Sequence, residues 1–239
     1  MGGQGQHQPG DPLEPVCRRD RFGADAGYSL PAEERRRGGR RSAGGYAPMS
    51  SRIVMVIDLD RCWGCRTCEV ACKQELGLGT GPRPMKVMET GARSIGGRLH
   101  RDFIPTLCQH CERPACQAVC PVEAIARVAD GTIQIRKASC NGCGLCVEAC
   151  PFGAIESDGG SGIPVKCTLC NERREGGGVP SCAQHCIGRV MTLIDEDRFE
   201  EWRRDRYAWK TGRIAYVSDK WSSLGQTLDD PESRARGQI

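Results

Sequence analysis

Residues 140–151 read Cys140-Asn141-Gly142-Cys143-Gly144-Leu145-Cys146-Val147-Glu148-Ala149-Cys150-Pro151, which is C-x2-C-x2-C-x3-C with a proline after the last cysteine. Thiolates at this spacing ligate a cubane iron–sulfur cluster. Cys62, Cys65, Cys68 and Cys72 repeat the pattern. Cys108, Cys111, Cys116 and Cys120 widen the second gap to four residues, and Cys167, Cys170, Cys182 and Cys186 widen it to eleven. Sixteen of the 17 cysteines thus fall into four quartets. Four quartets provide for four [4Fe-4S] clusters, and a row of clusters conducts electrons.

Other uses of cysteine fit less well. A disulfide framework suits a small secreted chain, whereas no secretory signal is visible here and x2 spacings are poor for mutual pairing. Structural zinc takes two C-x2-C knuckles a dozen or more residues apart, which only the last quartet resembles. Pro121 and Pro151, directly after the two middle quartets, complete the C-P ending of the ferredoxin signature.

In two-cluster ferredoxins the fourth cysteine of each motif ligates the other cluster. The two middle quartets are close in sequence and share the C-P ending, so they pair. Cys108, Cys111 and Cys116 take Cys150, while Cys140, Cys143 and Cys146 take Cys120. Lys73 and Ile187 follow the outer quartets, which by elimination pair with each other. Cys62, Cys65 and Cys68 take Cys186, while Cys167, Cys170 and Cys182 take Cys72. The predicted fold class is α+β: tandem bacterial-ferredoxin-like units of short helices and β-hairpins around four cubane clusters, one unit nested inside the other.

The 239 residues are 38% hydrophobic and 5% aromatic. So thin a core leaves much of the folding free energy to the clusters. The formal charge of +4 counts every cysteine as neutral. An oxidised cubane with four thiolates carries about −2, which turns the loaded protein to about −4. The basic excess therefore compensates buried clusters, and no basic patch interleaved with aromatics suggests nucleic acid. The longest strongly apolar run, Ile53 to Ile57, is far short of the roughly 20 residues of a membrane span.

Residues 1–48 are rich in Gly, Arg, Pro and Gln and read as a disordered tail or a start-site artefact. Arg35-Arg36-Arg37 and Arg40-Arg41 suggest a twin-arginine signal, but the Gly/Ala/Ser-rich stretch up to Pro48 is no apolar h-region. Cys17 reads as a free thiol. The cluster domain spans 49–206, with an inner unit at 108–159 and an outer one at 51–107 with 160–206.

Ile53 to Ile57 predicts a buried strand leading to Cys62. Met85 to Met88 and Arg98 to Ile104 predict a hairpin. Ala124 to Val128 with Thr132 to Ile135, and Ala154-Ile155 with Ile163 to Val165, predict two more. Val190 to Ile194 reads as a last strand, followed by a helix from Asp195 to about Arg206. Residues 207–239 carry Trp209, Tyr216 and Trp221 without periodicity and read as an extended docking tail. His110 and His185 adjoin ligand cysteines and read as surface or supporting residues. Trp63 reads as a shield between a cluster and water.

Four stretches carry a resemblance: Ile57-Asp58-Leu59-Asp60-Arg61-Cys62-Trp63-Gly64-Cys65, Cys108-Gln109-His110-Cys111, Cys140-Asn141-Gly142-Cys143 and Lys166-Cys167-Thr168-Leu169-Cys170. Over about residues 51–206 the chain resembles the four-cluster iron–sulfur subunit of the dimethyl sulfoxide reductase family of molybdenum or tungsten enzymes. Some relatives replace one cysteine by tryptophan and hold a three-iron cluster, whereas Cys111 completes the equivalent quartet here. The resemblance implies a non-catalytic subunit that relays single electrons from or to a molybdopterin or tungstopterin catalytic subunit. The other partner is an integral-membrane quinone-reactive subunit or a soluble redox protein. A free-standing polyferredoxin carrier is the alternative. The implied location is cytoplasmic, or membrane-associated or periplasmic by co-export with a signal-bearing partner.

Overall fold

The computed structural model describes residues 52–95 and 97–221. Its organising element is β1 (Ile53–Asp58), in which Ile53 to Ile57 are all buried. Successive side chains of a strand point to opposite faces. Ile53, Met55 and Ile57 enter the core that holds most of the buried cysteines, while Val54 and Val56 pack with Phe199, Ala215 and Val217 on the other face. A one-turn 3-10 helix (Leu59–Arg61) then delivers the chain to Cys62.

The same plan then recurs. In each quartet a short helix carries the third cysteine: α1 (Thr67–Glu75), α2 (Ala115–Ala118), α3 (Leu145–Glu148) and, after the insertion helix α4 (Asn171–Glu175), α5 (Ser181–Gln184). Pro121 and Pro151 bar α2 and α3 from continuing past Cys120 and Cys150, because the residue before proline is pushed out of the helical region. Lys73 imposes no such stop, and α1 runs on to carry both Cys68 and Cys72.

Hairpins follow. The strand β2 (Met85–Glu89) pairs with β5 (Phe103–Leu107), and between them β3 (Arg93–Ile95) pairs with β4 (Arg98–His100). The partner of β2 therefore begins at Phe103 rather than at Arg98. The hairpins β6 (Ile125–Arg127) with β7 (Ile133–Ile135) and β8 (Ile155–Ser157) with β9 (Pro164–Lys166) form where the sequence places them.

After α5 the chain departs from the sequence reading. The strand β10 (Met191–Asp195) forms, but the long helix after Asp195 is only a 3-10 turn (Glu196–Arg198) and α6 (Phe199–Arg203). Arg204, at φ 53°, ends it. The turn frees Arg206 to grip Asp58 with both terminal nitrogens, at 3.0 and 2.8 Å.

The expected docking tail is instead a hairpin, β11 (Tyr207–Thr211) and β12 (Ile214–Ser218). It completes a four-stranded sheet in the order β10-β1-β12-β11, with β12 parallel to β1. Ile214, Ala215, Tyr216 and Val217 are all buried, a degree of burial that a docking tail would not have. Residues 1–48, with Cys17 and the arginine run, and the tail beyond Trp221 lie outside the described residues.

Candidate functional site

In every quartet the residue before the second cysteine has a left-handed backbone: Gly64, His110, Gly142 and Leu169, at φ 75°, 50°, 72° and 50°. This recurring kink curls the first loop of each quartet around a common centre. At Gly64 the need is twofold, because the Phe103 ring lies 2.5 Å from where a Cβ would stand. His110 and Leu169 accept the same conformation without being glycine, at the strain such residues carry.

The cysteines converge across the chain. Cys62, Cys65, Cys68 and Cys186 line one hollow with Trp63, Val87, Pro105 and Val190. Cys140, Cys143, Cys146 and Cys120 line a second. The Cys116 thiol lies near Cys108, Cys111 and Cys150. That of Cys182 lies near Cys167, Cys170 and Cys72. The four gatherings form a row. Cys116, Cys120, Cys146 and Cys150 share one small core, the Cys167 thiol senses Cys108, and the Cys182 thiol senses Cys68. Among the sixteen described cysteines only Cys65 and Cys143, one in each end gathering, are exposed.

Backbone N–H groups are aimed at sulfur. Ala124, Ala154 and Val190 each donate to the cysteine four residues earlier, Cys120, Cys150 and Cys186, at 3.2, 3.4 and 3.3 Å. Leu169 donates to Cys167 at 3.3 Å and Ser181 to Cys170 at 3.4 Å. Such bonds favour the thiolate.

Burial works the other way. It pushes the Cys68 and Cys72 thiols up to about 12 and Cys116 to about 11, and lifts Cys167 and Cys182 well above the ordinary value; a neighbouring thiol adds to each rise. Cys65 is lowered, by hydrogen bonds from Thr67 and then from Trp63. Buried thiols this crowded become thiolates only around a strongly cationic centre. All sixteen described cysteines are free of disulfides. Among the described residues no three His, Cys, Asp or Glu side chains are placed to hold a single metal ion. Gathered sulfurs and the amide donors aimed at them fit iron–sulfur clusters.

The histidines divide. His185 is exposed, its ring at 2.9 Å from the Ser181 carbonyl. His110 is fully buried and is no surface residue: its Nδ1 accepts the Ile133 N–H at 2.9 Å. Burial, then the charges of Lys166, Arg174, Arg213 and Arg127, hold its ring far below the ordinary value, and so neutral. Trp63 is 62% exposed, an outer wall of its cavity rather than a buried plug. The cations around His110 went unmarked in the sequence. The signal for one of them was Lys166 itself, a lysine that ends a strand directly before the first cysteine of a quartet.

Known proteins agree. A family profile described as a 4Fe-4S dicluster domain matches residues 99–196, and one described as a 4Fe-4S binding domain matches residues 59–80. The chain is 36% identical to a subunit of tetrathionate reductase from Salmonella typhimurium over 145 residues, 60% of this chain and 58% of that protein. It is 32% identical to a thiosulfate reductase electron transfer subunit of Salmonella typhi over 176 residues, 71% of this chain and 92% of that one. With one chain of the anaerobic dimethyl sulfoxide reductase of Haemophilus influenzae it shares 36% identity over 152 residues, 59% of this chain and 74% of the relative. The match thus spans little more than half of the first relative and nearly all of the second. The chain belongs to the iron–sulfur subunits of the dimethyl sulfoxide reductase family of molybdopterin oxidoreductases.

Proposed function

We propose that this chain is a non-catalytic electron-transfer subunit holding four [4Fe-4S] clusters, two nested ferredoxin-like pairs in one row. Cys62, Cys65, Cys68 and Cys186 hold one end cluster and Cys140, Cys143, Cys146 and Cys120 the other. Cys167, Cys170, Cys182 and Cys72, and Cys108, Cys111, Cys116 and Cys150, hold the two between. When bound, each cluster accepts and passes on one electron.

The observation that carries this reading is the row itself, with exposed thiols only at its two ends. Middle gatherings whose cysteines are all buried or half-buried keep electrons from solvent, and an exposed end lets a partner's redox centre approach closely. Tunnelling falls steeply with distance, so both ends must dock. One docks on a molybdopterin or tungstopterin catalytic subunit. The other meets a membrane quinone-linked subunit or a soluble redox protein. No helix among the described residues is long and apolar enough to cross a membrane. The names of the relatives, all subunits of reductases, weigh against a free polyferredoxin.

Purification without oxygen from the native host tests this. Iron and acid-labile sulfide at about sixteen each per chain, with a large pterin-containing companion in native mass spectra, are expected. Stoichiometric zinc, or iron near eight, would sink the four clusters. A fully loaded monomer without a companion would favour the free carrier.

A further inference from the structure

Lys166 is 3% exposed. Its ammonium donates to the carbonyls of Ile133 and Cys167, the latter at 2.9 Å, and among the described residues no carboxylate reaches it. A buried ammonium needs a compensating anion, since two carbonyls do not repay its lost hydration. The neighbouring guanidiniums supply none. Arg127 donates to the Cys111 carbonyl at 2.8 Å and Arg174 to the Leu169 carbonyl at 2.8 Å, each inside the first loop of a middle gathering. Arg174 has its own carboxylate in Asp130, and Arg213 has Glu196. Lys166 therefore lies among cations, between two groups of sulfurs. Burial raises the thiols of Cys111, Cys116 and Cys167, and Lys166 opposes that rise in all three.

We propose that Lys166 is the counter-ion shared by the two middle clusters and holds both of their reduction potentials above what the same cysteines alone would give. This rests on the four-cluster reading above. With four thiolates a cubane carries about −2 oxidised and about −3 reduced, so a fixed cation nearby favours the reduced state. Local charge is among the factors that set cluster potentials. The missing anion is thus the pair of clusters, and Lys166 ties them electrostatically in the middle of the row.

The test uses the full-length protein in its native complex, by redox titration followed with electron paramagnetic resonance. Cys116→Ser and Cys170→Ser assign the two middle signals. Lys166→Met should lower the reduced-to-oxidised ratio of both about tenfold at fixed potential, about 59 mV for a one-electron couple. The two end signals should stay in place, and Lys166→Arg should restore the middle ones. If Lys166→Met loses iron, Lys166→Gln decides, because it keeps a donor for the Ile133 and Cys167 carbonyls without the charge; middle signals that do not move in the loaded Lys166→Gln protein overturn the proposal. Full iron in Lys166→Met with unmoved middle signals, or an equal shift of all four, overturns it too. Iron far below sixteen in the unaltered protein would instead overturn the four-cluster reading itself.

Discussion

Gly212 leans on Gln109: a Cβ at Gly212 would stand 2.3 Å from the Gln109 carbonyl oxygen, and the N–H of the next residue, Arg213, donates to that oxygen at 2.9 Å. Gln109 lies in the loop between Cys108 and Cys111, so the C-terminal hairpin braces a cluster-binding loop more than 100 residues earlier in the chain. Gly212 is also left-handed, at φ 50°. Gly212→Ala should cost about 2–4 kcal/mol from strain plus a clash with backbone. It should also loosen the cluster of Cys108 and Cys111. Gly91→Ala, with no atom within 4 Å of the added carbon, is the control. Thermal melting with iron analysis compares them, and equal melting points would show that the brace carries no weight.

Truncation after Arg206 should be far worse. It removes Ile214, Tyr216 and Val217, each at most 1% exposed, at about 1.5–3 kcal/mol apiece. That loss is comparable with the whole stability of a small domain, about 5–15 kcal/mol. It also uncovers the edge of β1. The expected product is insoluble or poor in iron. A soluble, fully loaded truncated protein would return these residues to the role of a docking tail.

The sequence carried the chemistry further than the topology. Sixteen cysteines declare themselves by spacing, and the hairpins at 125–135 and 155–166 are local structures with turn residues between their strands. The hairpin at 207–218 was harder, because its meaning lies in pairing with β1, about 160 residues away. A signal was present in Ile214-Ala215-Tyr216-Val217, an unbroken apolar run bounded by Gly212 and Ser218. Uninterrupted apolar residues mark a strand buried on both faces, and Val217 and Tyr216 do enter opposite cores. The left-handed positions at His110 and Leu169 had no glycine to announce them. Only the parallel with Gly64 and Gly142 could have exposed them.

Glu196 links the strands at the far side of this brace. Its carboxylate meets buried Arg213 at 2.6 Å, Lys210 at 2.7 Å and Arg52 at 2.9 Å. Partial burial alone would raise its proton affinity, but hydrogen bonds from Lys210 and Arg213 outweigh it and hold the group below its ordinary 4.5. A depressed carboxyl stabilises the fold above its unfolded value, and that contribution fades as pH falls through the folded value. Glu196→Gln should therefore cost about 1–3 kcal/mol at neutral pH. The gap to the unaltered protein should narrow below about pH 4. Urea unfolding at several pH values, with iron checked at each, measures the gap. A gap independent of pH would assign the loss to packing.

The sharpest test of the sulfur assignments lies on α1. Cys68 and Cys72 are four residues apart on this helix, about 6 Å along its axis. Their surroundings nevertheless differ. Cys68 senses Cys62, Cys186 and Cys65, whereas Cys72 senses Cys170. Both Cys167 and Cys182, in turn, sense Cys72. One short helix thus stands between two gatherings and fixes the distance between them. Cys72→Ser should then disturb the same paramagnetic signal as Cys170→Ser and leave the signal of Cys62 and Cys65 unchanged. Cys186→Ser should do the converse and match Cys62→Ser, although Cys186 lies four residues from Cys182 in sequence. Spectra of the four single variants, each reduced to the same potential, are sufficient. If Cys72→Ser and Cys170→Ser altered different signals, the crossing of the outer quartets would be wrong, and each quartet would hold its own cluster.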